Sequence, residues 1–192
     1  YEGGRGIRNR MIAVRGQRGS NDYALARVVN PEPLANEGSI ESICQAALDL
    51  KEASGLEHCV VIIDTLSRAI AGADENSAKE MSALIQRISA IQNATGAAVL
   101  LVHHAGKDDD RGMRGSSVLF AACDAVIGVH RATGEEPARV EVMKSKEGMT
   151  GNWSTFALRP VEVGRRADGK PVTTCVVDYE VDKHPSQGRK RK

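Results

Sequence analysis

A chain of 192 residues, 41% hydrophobic and 27% charged, has the make-up of one globular domain with a real core. A formal net charge of +1 exerts no global pull on nucleic acid, and aromatic residues at 3% argue against a binder built on base stacking. The four cysteines (Cys44, Cys59, Cys123 and Cys175) form no C-x-x-C pair, which removes support for a zinc cluster or redox pair, and no apolar run reaches membrane-spanning length. With no signal peptide visible, the cysteines read as buried, reduced thiols and the expected location is cytoplasmic. The chain opens at Tyr1 in what reads as the middle of a motif, so a piece of a longer protein is expected.

Residues 4–16 predict a short basic helix, with Ile7, Met11, Ile12 and Val14 apolar and Arg8, Arg10 and Arg15 charged. Residues 24–29 predict a strand ended by the Asn30-Pro31 turn, and 39–53 a helix capped by Ser39 and stopped near Gly55. The apolar run from Cys59 to Asp64 predicts a strand buried on both faces. Ser77-Ala78-Lys79-Glu80 reads as a capping box ahead of Met81, Leu84, Ile85, Ile88 and Ile91, with Thr95-Gly96 as the stop. A second buried strand is expected over 97–102, a short helix over 116–123 and a third strand over 125–130. Residues 139–143, 153–158 and 173–179 then alternate like an antiparallel meander. The fold class expected is α/β: a mostly parallel sheet with helices on both faces and an antiparallel C-terminal extension. In such sheets ligands sit at the carboxyl ends of the strands, here Asp64 and His103-His104.

Asp64 at a strand tip, followed by Thr65-Leu66-Ser67-Arg68, fits a Walker B element, in which one carboxylate holds a nucleotide's Mg²⁺ largely through water. The competing reading is an aspartate that only caps the next helix. His103 or His104 could hydrogen-bond a terminal phosphate or the attacking water. Adjacent strand residues face opposite ways, so the two histidines do not chelate one metal, and His103 is the one expected to face the site. The loop 107–117 mixes charge with glycine and holds Arg114, a residue type that takes phosphate bidentately. A solvated surface loop is the alternative. Lys144 and Lys146 share a strand face and could reach a neighbouring subunit's phosphates, or simply form a basic hairpin. Glu2 could orient a water molecule.

Taken in order, Val60-Val61-Ile62-Ile63-Asp64-Thr65-Leu66-Ser67-Arg68, Asp74-Glu75-Asn76-Ser77, Val102-His103-His104-Ala105-Gly106-Lys107 and Arg114-Gly115-Ser116-Ser117 resemble the RepA-type branch of RecA-like P-loop ATPases, the hexameric replicative helicase motors of plasmids and phages. The resemblance runs from Tyr1 to about Val163. It implies a RecA-like fold, ATP and Mg²⁺ as cofactors, and residues 1–182 as a partial ATPase domain followed by a disordered basic tail, 183–192. It implies Glu2 as catalytic base, Asp64 as the Walker B residue with Thr65 beside it, and His103 or His104 as γ-phosphate sensor. Arg114 becomes a finger or DNA contact, and Lys144 and Lys146 stand where the family donates a lysine and an arginine in trans. Single-stranded DNA, further copies of the chain in a homo-hexameric ring and a primase are the implied partners, with no membrane. One departure is plain: the chain contains no G-x-x-x-x-G-K-S/T, so the P-loop strand is absent and is expected ahead of Tyr1. The alternative functions are a non-catalytic RecA-like DNA- or partner-binding module, and a metal-dependent hydrolase using Asp64, His103 and Asp124.

Overall fold

The computed structural model describes residues 4–19, 33–104, 117–131 and 137–181. The expected strand at 24–29 and the tail at 183–192 lie outside them. The elements are α1 (Gly4–Arg18), α2 (Glu37–Ser54), β1 (Val60–Asp64), α3 (Leu66–Ala69), α4 (Ala78–Thr95), β2 (Ala98–Val102), α5 (Ser117–Ala122), β3 (Ala125–His130), β4 (Ala138–Ser145), β5 (Gly151–Arg165) and β6 (Pro171–Val181). They form two compact units, one of residues Tyr1–Glu2 and Asp22–Ala122, the other of Gly3–Asn21 and Cys123–Lys192.

In the first unit β1 and β2 form a two-stranded parallel sheet. Ile63 is packed with Leu66, Ala69, Ile70, Met81, Leu84 and Ile91 in one apolar cluster, against which Val61, Val99 and Leu101 are partly buried. Val60, Ile62 and Leu100, on the opposite face, are exposed. The expectation of a strand buried on both faces is therefore corrected: among the described residues one face carries helices. A continuous apolar run has no period of two, so the sequence could not show which face is covered.

Local signals set the helix ends. Ser77 Oγ accepts from Glu80 N at 3.4 Å, but the Glu80 carboxylate takes the Asp74 amide, so only half of the capping box forms. At the other end Gly96 adopts φ 67°, and its amide donates to Gln92 O at 2.8 Å. Lys51 Nζ donates to Thr95 O at 3.1 Å, satisfying a carbonyl that the last turn leaves open. Ser39 does not cap α2; the helix begins at Glu37 with Asn36 in the cap position, and Ser39 is buried in its first turn.

In the second unit β3-β4-β5-β6 make a four-stranded antiparallel sheet with α1 against β5 and β6. The parallel part thus has two described strands and the antiparallel part four, the reverse of the expected balance. Ala13 and Val176 are both buried, and Gln17 Nε2 donates to Asp178 Oδ1 at 3.1 Å, tying α1 to β6. β5 runs well past the expected 158, through Pro160. Proline is tolerated there because β4 pairs β5 only over Gly151–Phe156, leaving Pro160 with β6 as its one neighbour.

Candidate functional site

Because β1 and β2 are parallel and in register, with Asp64 beside Val102, both strands deliver their carboxyl ends to one edge. Asp64 leaves β1 there, and His103 leaves β2 one residue beyond Val102. Asp64 is half-buried, and among the described residues its carboxylate forms no ion pair or hydrogen bond. An acceptor-only group with open lone pairs at the ligand edge of a sheet suits a hydrated cation.

The next residues hold that edge in place. The Asp64-Thr65 peptide is cis, and Thr65 is buried. Thr65 O accepts from the amides of Arg68 and Ala69 at 3.2 and 3.0 Å, and Thr65 Oγ1 lies 3.3 Å from Ser67 Oγ. Leu66 behind it is fully buried. The strand tip is thus followed at once by a helical turn whose apolar side is anchored in the core. His103 is half-buried and His104 exposed, so the two imidazoles meet different surroundings.

Glu2 and Arg114, with the loop 105–116, lie outside the described residues. Lys144 and Lys146 belong to the second unit. Lys146 Nζ donates to Asp124 Oδ1 at 2.5 Å, and Lys146 N donates to Asp124 O at 2.9 Å. This hydrogen-bonded ion pair holds the Asp124 carboxyl below its ordinary range and the Lys146 ammonium above its own. Burial pushes the adjacent Cys123 thiol up, against the pull of Lys144. Asp124, the third ligand of the metal-hydrolase alternative, is paired with Lys146 and belongs to the second unit. Among the described residues no three His, Cys, Asp or Glu side chains are grouped to hold a metal.

One arrangement had no signal in the sequence. His130 Nε2 lies 3.3 Å from Glu141 Oε2 across β3 and β4. A Cβ at Gly128 would lie 3.0 Å from that nitrogen and 2.9 Å from Met143 Sδ, so the glycine makes the close approach possible. Only the strand register, Gly128 opposite Glu141, brings these residues together.

Among the described residues no helix is long and apolar enough to cross a membrane. No curated protein matches the chain. A family model described as AAA domain matches residues 1–110, more than half of the chain, and that span includes Asp64, Thr65, His103 and His104. The chain therefore belongs to the AAA domain family, a family of P-loop ATPases.

Proposed function

We propose that this protein is part of an ATP-hydrolysing motor of the RepA type, a replicative helicase subunit that works as a ring on single-stranded DNA. The observation that supports this most is the half-buried Asp64 carboxylate, without a partner among the described residues, at the edge where His103 also emerges. Mg²⁺ and ATP, when bound, supply the phosphoryl electrophile and the charge that draws the terminal phosphate. Asp64 would hold the cation, through its waters. Buried Thr65 and Leu66 keep the strand tip in one orientation, which matters because positioning carries most of phosphoryl-transfer catalysis.

In this reading His103 hydrogen-bonds the terminal phosphate and reports its loss to the loop that follows. Glu2 is the base for the attacking water and Arg114 a charge-stabilising contact in this reading. Lys146 could serve a neighbouring subunit's nucleotide only by giving up Asp124.

The test is Mg²⁺-dependent ATP turnover in the whole gene product carrying Asp64→Asn. This change keeps the shape and removes the charge. A fall of at least a hundredfold is expected, on the order of what removing one transition-state charge contact costs. Turnover within a few fold of the parent would defeat the motor reading and favour a non-catalytic nucleic-acid-binding module of the same fold.

A further inference from the structure

The net charge of +1 conceals a division between the two units. Residues Gly3–Asn21 and Cys123–Lys192 hold eighteen lysines and arginines against ten aspartates and glutamates, a net of +8. The other unit holds eight against fifteen, a net of −7. The two counts together restore the 26 basic and 25 acidic residues of the chain.

Within the basic unit the excess is carried by two stretches: α1, whose fifteen residues include five arginines, no lysine and no acid, and residues 183–192, with five lysines and arginines and no acid. Arg8, Arg10 and Arg15 are exposed, and among the described residues none of the three has an ion pair or hydrogen bond. Ala13 and Gln17 define the side of α1 that meets the sheet, one by burial and the other by its bond to Asp178. At roughly 100° per residue, Arg8 and Arg15 lie about 140° and 160° around the axis from Ala13, on the outward side. They are two turns apart, a span of about 10 Å.

We infer that this outward side of α1, centred on Arg8 and Arg15, takes the phosphate backbone of single-stranded nucleic acid. Guanidinium groups match phosphate geometry, and no carboxylate on the helix competes for them. With aromatics at 3%, affinity comes from phosphate contacts rather than stacking. A membrane surface fits less well, because the helix turns its buried apolar position, Ala13, onto the sheet and presents only Ile12 as an exposed large apolar residue. The inference rests on the nucleic-acid half of the proposed function and not on hydrolysis.

The experiment is fluorescence anisotropy of labelled oligothymidylate with the 192-residue chain and no nucleotide, between about 50 and 200 mM salt. The parent should bind with steep salt dependence. Arg8→Gln with Arg15→Gln should bind on the order of tenfold more weakly at about 100 mM salt, with the salt slope reduced by about 1.4, or about 0.7 for each lost contact. Glutamine keeps helix propensity, and an unchanged melting curve will show that the fold survives. A chain ending at Val181 should retain the arginine-dependent part of the binding. The inference is overturned by an unchanged slope in the double variant, or by binding that disappears only when residues 182–192 are removed. It is also overturned if the double variant loses self-association but not oligothymidylate affinity, which would assign the surface to the acidic unit of a second copy. Inactive ATP turnover beside intact, arginine-dependent binding would remove the motor and leave the surface.

Discussion

Leu66→Ala tests whether the strand tip is held by the core beneath it. Leu66 is fully buried and packed in the cluster with Ile63, Ala69, Ile70 and Met81. Truncation removes three carbons, a transfer loss of about 2.4 kcal/mol at about 0.8 kcal/mol per methylene. A residual cavity adds to this, and the total for such sites runs from about 2.7 to 5 kcal/mol. With a urea slope of about 2 kcal/mol per molar, the midpoint should fall by roughly 1.4–2.5 M. Circular dichroism follows this well, because α2 and α4, eighteen residues each, supply most of the helix in that unit. Leu66→Met conserves volume and should cost less than about 1.5 kcal/mol. If alanine shifted the midpoint no more than methionine does, the residue would not be anchoring the Asp64 edge and the packing argument would fail.

Gly96→Ala should cost about 1 kcal/mol, or a melting temperature lower by roughly 2–4 °C, because alanine must adopt φ 67°. Space is no obstacle, since the nearest atom to the added carbon is Lys51 Nζ at 3.8 Å; an unchanged melt would refute the conformational account. The Asp124–Lys146 pair makes a pH prediction. Asp124 is depressed by its bond to Lys146, so its contribution is complete above the ordinary aspartate pKa of about 3.9 and is lost as pH falls through the lower folded value. Lys146 is raised, so its contribution is complete below about 10.4 and is lost as pH rises through the higher folded value. Asp124→Asn should flatten both limbs of a stability–pH curve by a small amount, the pair being exposed. An alkaline limb that persists in the variant would show that Lys146 has another partner.

The parts of the fold legible in the sequence are those with local causes. The αL glycines at 55 and 96 mark the ends of α2 and α4, and Ser77 marks the start of α4. The run ending at Asp64 gave the strand and its tip within one residue. What was not legible depends on pairing between distant residues. Whether β3 joins the parallel strands or opens the antiparallel sheet is decided by its register with β4, with a bulge between Val126 and Ile127, and no local pattern encodes that choice. Pro160 and Gly164 look like breakers, yet they sit within β5 where one neighbour suffices.

The candidate site divides along the same line. Asp64 and His103 meet at one edge because two parallel strands end together, and parallel order follows from the helix between them in sequence. Lys146 was readable as a phosphate ligand only while its surroundings were unknown, since its partner Asp124 stands twenty-two residues earlier. The charge division was also beyond a linear reading. α1 comes first in sequence but packs with strands from the far end of the chain, so its arginines count toward the C-terminal unit. The two charge sets without a partner among the described residues therefore have opposite sign and separate supports: the Asp64 carboxylate on a strand tip of the acidic unit, and Arg8 and Arg15 on a helix of the basic one. In the proposed function a hydrated cation answers the first and a phosphate backbone the second, so turnover and nucleic-acid affinity should respond to different substitutions.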